Sequence, residues 1–230
     1  ALSFNGSQVD AQGGFSKNLW SVYAERDFPV DGDAAVLYQQ ISYIFQTKKG
    51  RRMTTKLIGL TGKAGSGKDE VAKILWAEEG FTRIALADPL KQAASALFGL
   101  PLDHFNDRKL KEEVCDYWGM SPRTMLQKLG TACREVFGEG FFISRFSLSA
   151  GPLMKTDNIV VPDVRYDNEA EAFRRVGGHI VEVLRGPGLV GSNGNHPSEM
   201  GLSTLPDFTI DNRGSLEELE GKVIKLMESL

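Results

Sequence analysis

Beyond residue 53 the apolar residues fall in short runs, and the spacing inside each run separates strands from helices. Lys56-Leu57-Ile58-Gly59-Leu60-Thr61-Gly62 is a brief apolar stretch closed by glycine, the form of a buried first strand. Val71, Ala72, Ile74 and Leu75 follow at helical spacing. Thr82 to Ala87 reads as a second strand, and Pro89 to Phe98 as a helix with Leu90, Ala93, Ala94, Leu97 and Phe98 on one face. Pro122 to Phe137 predicts a longer helix. Asn158 to Asp163 reads as a buried strand stopped by a proline, and Ala170, Phe173 and Val176 mark a helix closed by Gly177-Gly178. Ile180 to Leu184 and Phe208 to Ile210 are two last strands. Ser215 and Glu218 form a capping box for a C-terminal helix whose Leu216, Leu219, Val223, Ile224, Met227 and Leu230 are expected to face inward. Strands alternating with helices imply parallel strands joined by crossovers, hence an α/β layered fold.

The first 52 residues have a different character. Only Ala34 to Phe45 repeats apolar residues at helical spacing, and the stretch ends in the cationic run Lys48-Lys49-Gly50-Arg51-Arg52, which reads as a solvated linker. The expected division is therefore an N-terminal extension at 1–52 and the alternating domain at 53–230, with Met53 as a natural start.

Composition narrows the function. The 230 residues are 41% hydrophobic and 25% charged, which excludes general disorder. No run approaches the roughly 18 consecutive apolar residues of a membrane span, and Ala1 to Asn18 lack the layout of a secretory signal. With 27 Lys and Arg against 30 Asp and Glu, the net charge of -3 excludes a nucleic-acid binder built on bulk positive charge. Any anion site must be local. Two cysteines, Cys115 and Cys133, and three histidines supply neither a disulfide framework nor a zinc set, so a reducing cytoplasmic setting is expected. The 25 glycines exceed the average share of about 7%, and their placement matters.

Gly62-Lys63-Ala64-Gly65-Ser66-Gly67-Lys68 satisfies G-x-x-x-x-G-K between a strand and a helix. Such glycines let successive backbone N–H groups point into one concavity, the helix adds its positive end, and Lys68 adds a point charge for outer phosphates. Where a Ser or Thr hydroxyl would commonly meet magnesium this chain has Asp69, whose carboxylate fits either a water-mediated Mg2+ contact or an acid favourable at a helix start. A second group, Asp163-Val164-Arg165-Tyr166-Asp167-Asn168-Glu169, follows a strand. Ligands bind outside the carboxyl ends of such strands, so Asp163 and Arg165 should share an edge with the glycine loop. Asp163 can hold a magnesium water or a sugar hydroxyl, and Arg165 can grip an acceptor phosphate. Lys91, Arg123, Arg134, Arg145 and Arg185 are further phosphate candidates.

Six blocks in order carry a resemblance: Gly62-x-x-x-Ser66-Gly67-Lys68-Asp69; Asp88-Pro89-Leu90-Lys91; Arg123-x-x-x-Gln127-x-Leu129-Gly130-Thr131; Val160-Val161-Pro162-Asp163-Val164-Arg165-x-x-x-Glu169; His196-x-x-Glu199-x-Gly201-Leu202; and Asn212-x-Gly214-Ser215-Leu216-Glu217-Glu218-Leu219. Together they resemble the phage-type deoxynucleoside monophosphate kinases, from Met53 to Leu230. The resemblance implies a P-loop three-layer fold with a parallel sheet and inserted helical acceptor-binding and lid segments. It implies transfer of the terminal phosphoryl of ATP, with Mg2+, to deoxynucleoside monophosphates. It further implies that Lys68 and the loop hold ATP, that Arg123 reaches the acceptor phosphate, that Asp163, Arg165 and Glu169 face the deoxynucleotide, and that Phe142 meets the base. The resemblance also puts Tyr166 among the substrate residues, where relatives can carry a polar side chain, so base preference stays open, and it implies that His196 and Glu199 help shape the active site. Lys68, Arg123, Asp163 and Arg165 are then the catalytic set, and Asp69 and Asp163 the metal contacts. The charged stretch Asp103 to Met120 is a candidate closing element. A homodimer stays open; nucleic-acid and membrane partners are not expected.

A dephospho-coenzyme A or phosphomevalonate type kinase would use the same loop and is the alternative. A GTP-dependent switch would want Asn-Lys-x-Asp, and Met154-Lys155-Thr156-Asp157 has the wrong first residue.

Overall fold

The computed structural model describes residues 55–186 and 196–230. The helix expected at Ala34 to Phe45, the basic run at Lys48 to Arg52 and the division at Met53 lie outside the described residues.

Five parallel strands form one sheet. They are β1 (Leu57–Thr61), β2 (Thr82–Arg83), β3 (Ile159–Val161), β4 (His179–Leu184) and β5 (Phe208–Asp211), in the spatial order β2-β3-β1-β4-β5. The helices between them are α1 (Lys68–Glu79), α2 (Asp88–Phe98), the short α3 (Asp103–Asn106), α4 (Pro122–Phe137), α5 (Phe141–Ala150), α6 (Asp167–Arg175) and α7 (Leu216–Ser229). The expected α/β fold with a parallel sheet is the observed one.

Strand β1 is central and buried on both faces, as its unbroken apolar run requires. Its alternation assigns each residue to a layer. Ile58 and Leu60 join Val71 and Leu75 of α1 and Val223 of α7 in one core. Leu57 joins Ile159, Ile180, Phe173 of α6 and Phe146 of α5 in the other. Gly59 between them leaves room for α6: a Cβ there would lie 2.9 Å from Ile180 Cδ1, Phe173 Cδ2 and Val164 Cγ2. Helix α4 begins where expected, with Ser121 Oγ accepting from Thr124 N and Pro122 at its first position.

Four expectations change. Strand β2 stops at Arg83 rather than Ala87, because after Ile84 N meets Val160 O the next free amides, Leu86 and Ala87, turn to the Asp163 carboxylate instead of the sheet. Helix α2 packs on α4 through a narrow stripe, so Ala94 is buried while Ala93 and Leu97 face solvent. In α7 the inward residues are Leu219, Val223, Leu226 and Met227; Ile224 lies about 100° off that stripe and is 45% exposed, and Leu216, in the first turn, is 54% exposed. Helix α5 was not expected, although Phe142, Ile143, Phe146 and Ala150 repeat at helical spacing after the Gly138-Glu139-Gly140 turn.

Gly59→Ala should overpack this layer and lower the unfolding free energy by about 1–3 kcal/mol, read as a lower urea midpoint at unchanged slope. An unchanged midpoint would mean the α6 layer yields freely.

Candidate active site

The loop from β1 to α1 takes its shape from backbone torsions closed to most residues. Gly62 and Gly67 have φ of 126° and 102°, and a Cβ on Gly62 would run into Val183 O. Lys68 Nζ folds back to donate to Gly62 O at 2.6 Å and Lys63 O at 2.9 Å. Burial, helped by the charge of Arg165, lowers the Lys68 ammonium to about 8. From the far side the buried Asn212 donates its Nδ2 to Ser66 O at 2.8 Å, which ties the loop to the end of β5. Ser66 Oγ is buried with no hydrogen-bond partner among the described residues. Positive-φ glycines, amides at a helix start and a lysine poised on the rim form a cradle whose chemistry fits a polyphosphate.

Beside β1, strand β3 delivers the second group. Asp163 Oδ1 accepts from Leu86 N at 2.9 Å and Oδ2 from Ala87 N at 2.8 Å, so its carboxylate fixes the start of α2. Arg165 Nη1 donates to Ser198 O at 2.8 Å and to the Glu199 carboxylate. Arg123, from the first turn of α4, donates Nε to Glu112 Oε1 at 2.6 Å and Nη1 to Glu199 Oε1 at 3.5 Å. Lys91 pairs with Asp88 at 3.1 Å. Asp69 is 82% exposed and lies 3.7 Å from Arg83.

Below these cations a layered stack supports the base of the site. Arg134 is nearly buried, its guanidinium over the Tyr166 ring at 3.9 Å and the Phe142 ring at 4.6 Å. Its Nη2 donates to Glu169 Oε1 at 2.6 Å. The other Glu169 oxygen accepts from Arg165 N at 2.8 Å and Tyr166 N at 3.2 Å. Burial raises the Glu169 carboxyl above its ordinary value, opposed by Arg134 and the Arg165 amide. Burial likewise raises the Tyr166 phenol.

The Glu199 loop is tied to α4 through His196. Its Nδ1 accepts from Ser198 N at 3.2 Å, which leaves the proton on Nε2 to donate to Thr131 Oγ1 at 3.2 Å. Burial lowers the His196 pKa, which suits this neutral tautomer.

Lys68, Asp69, Lys91, Arg123, Asp163 and Arg165 line one cavity of about 1180 Å3, above the usual range for one small ligand. Ala64, Gly65, Gly67, Phe142, Tyr166, Glu169 and Arg185 reach the same walls, whereas Gly62, Lys63 and Ser66 shape the loop behind them. Arg145 lies on the exposed side of α5, bonded to Ser149 and outside the cavity. Arg134 is committed to Glu169 rather than open to a phosphate. Sequence reasoning missed three further members: Asn212, which stood inside a recognised block without a role, and Arg108 and Lys111 of the charged middle segment. The Arg108 guanidinium lies against the glycine loop, its Nη2 3.0 Å from where a Gly65 Cβ would sit. Among the described residues no cluster of three His, Cys, Asp or Glu could hold a metal, and no helix is long and apolar enough to cross a membrane.

The family model described as deoxynucleotide monophosphate kinase matches residues 100–223, a stretch that includes Lys111, Arg123, Asp163, Arg165 and Asn212. A protein of Acanthamoeba polyphaga mimivirus named for that activity is 33% identical over 188 residues, covering 75% of this chain and 96% of its own. The deoxynucleotide monophosphate kinase of Enterobacteria phage T4 is 35% identical over 119 residues, 50% of this chain and 48% of that one. The deoxynucleoside-5'-monophosphate kinase of Escherichia phage T5 is 24% identical over 212 residues, 64% of this chain and 84% of that one.

Arg134→Met should destabilise the fold by about 3–5 kcal/mol, because Glu169 stays buried without its counter-charge. Adding Glu169→Gln should recover part of that loss. Additive losses in urea unfolding of the single and double variants would show that the two side chains act separately.

Proposed function

The chain belongs to the deoxynucleotide monophosphate kinase family, and from that premise we propose that ATP is the donor and that the glycine loop and the Arg123–Arg165 group hold donor and acceptor respectively. One observation carries the reading: two separate cationic groups, one on the β1 loop and one at the ends of β3 and α4, open onto a single cavity. A phosphoryl transferase needs two anions brought together, and repulsion between them is the first barrier.

Each side chain has a part in lowering that barrier. The loop amides cradle the β and γ phosphates, and Lys68, released from Gly62 O and Lys63 O, follows the charge of the moving group. Arg165 and Arg123 grip the acceptor phosphate, with Lys91 beside them. The acceptor oxygen is already anionic, so no strong general base is required. Phe142, Arg134 and Tyr166 form the wall against which the acceptor base packs; with Phe142 and Arg134 buried, the half-buried Tyr166 ring offers the open surface. Glu169 acts through others, by holding Arg134 and the backbone of Arg165 and Tyr166. Mg2+, when bound, would neutralise phosphate charge and keep most of its own water. With no all-protein ligand cluster among the described residues, it would enter on the phosphates, and Asp69 and Asp163 would contact it through water. Asp163 retains acceptor capacity for this beyond its two amide bonds. Segment 103–120, with Arg108 against the loop, closes over the reaction and excludes water.

A steady-state panel of ATP with each common deoxynucleoside and ribonucleoside monophosphate, with dephospho-coenzyme A and phosphomevalonate alongside, tests the reading. Turnover confined to the last two compounds would refute it. Lys68→Ala should lower turnover by orders of magnitude with the unfolding midpoint unchanged. Arg165→Ala should raise the KM of the acceptor more than that of ATP; an effect confined to ATP would reverse the assignment of the two sites.

A further inference from the structure

Four cations line one cavity within reach of one another's charge: Lys91 of α2, Arg123 of α4, Arg165 after β3, and Lys111. Three are answered by carboxylates. Lys91 has Asp88, Arg123 has Glu112 and Glu199, and Arg165 has Glu199. Lys111 forms no ion pair and no side-chain hydrogen bond among the described residues.

Its position is nonetheless fixed. Lys111 sits in the one-turn segment Leu110–Glu112, whose start is held by Asp107 Oδ1 accepting from Lys109 N at 2.8 Å and Leu110 N at 2.9 Å. Lys111 N itself donates to Asp107 O at 3.1 Å. The next side chain, Glu112, is anchored on Arg123 at 2.6 Å. Neighbours on both sides are therefore pinned, and the Lys111 side chain lines the cavity, half-buried. Burial and the charges of Lys91, Arg123 and Arg165 lower its ammonium to about 8, with Asp69 giving only the smallest, opposing effect. A half-buried cation facing three others is unfavourable unless an anion completes the group.

We propose that Lys111 is a further ligand of the acceptor phosphate, carried to the site by the middle segment. This rests on the kinase reading above and deepens it. The ligand class is a phosphate monoester dianion, whose two charges and three free oxygens can be shared among Arg165, Arg123 and Lys111 without displacing the carboxylates that hold the two arginines. The charge of Arg165 acts on both Lys68, which serves the donor side, and Lys111.

The test is equilibrium binding without ATP, by titration calorimetry, of the deoxynucleoside monophosphate that the wild-type chain turns over fastest and of the matching deoxynucleoside. Wild type is measured first; if it binds and turns over no monophosphate, the kinase reading itself falls. In K111M and K111Q the monophosphate should bind about tenfold or more weakly, while the deoxynucleoside and a non-hydrolysable ATP analogue stay within about twofold. K111R should recover most of the loss. Monophosphate binding unchanged in both variants overturns the proposal. So does an equal loss for monophosphate and deoxynucleoside, which would mark Lys111 as structural support for the turn.

Discussion

The constraint on which this structure turns is electrostatic: like charges must be held close together before any substrate arrives. Lys68, Lys91, Lys111, Arg123 and Arg165 converge on one cavity in a chain of net charge -3. Uncompensated, such a group would repel itself and unfold its own walls. The chain answers with carboxylates placed from distant parts of the sequence. Glu199, on a loop tied to α4 by His196, spans Arg165 and Arg123. Glu112 holds the other edge of Arg123 and Asp88 holds Lys91. These acids cost affinity in simple Coulomb terms, yet they fix the guanidinium planes, and a fixed plane loses less entropy when it grips a phosphate.

The sheet supplies the frame for that arrangement. With strand order β2-β3-β1-β4-β5 and all pairs parallel, the chain leaves β1 toward one side and later returns to the other, so the crevice opens at the carboxyl ends around β1. The glycine loop follows β1, Asp163 and Arg165 follow its neighbour β3, and Asn212 follows β5. Three loops from one sheet edge thus meet without any long excursion. Asp163 shows how tightly frame and site are joined: its carboxylate ends β2, starts α2 and faces the cavity.

What was legible in the sequence follows from how local each signal is. The glycine loop could be read because its torsions admit few residues, and β1, α1 and α4 because their apolar patterns and caps lie within one element. The short β2 could not, since its end depends on Asp163, some 76 residues away in the chain. The same holds for the site. Lys68, Arg123 and Arg165 stand in recognisable blocks, whereas Lys111 sits in the charged stretch expected only as a closing element, and the fold brings its charge within reach of Lys91. Asn212 and His196 were inside blocks, but their partners Ser66 and Thr131 are long-range. In α7 the stripe Leu219, Val223 and Met227 was legible, but its flank was not: Leu226 rather than Ile224 is covered, which the helix's seat on the sheet decides.

Asp69 shows how a departure from the common loop can be accommodated. A carboxylate buried beside a triphosphate would add charge where the site must remove it. Here the side chain stands at the cavity wall but is 82% exposed, in the first turn of α1, with Glu70 next to it and Arg83 at 3.7 Å. At that position it gains from the helix's positive end. In the proposed reading Asp69 would contact a bound Mg2+ through water, and the ion would supply neutralisation of phosphate charge. Lys68 and the loop amides supply the protein's own share of charge neutralisation at the donor, and the acid beside them is tolerated because solvent and Arg83 screen it. In that reading the loop can lose its hydroxyl and still serve phosphoryl transfer, because Lys68 and the loop amides remain to hold the donor while Lys91, Lys111, Arg123 and Arg165 gather on the same cavity for the acceptor.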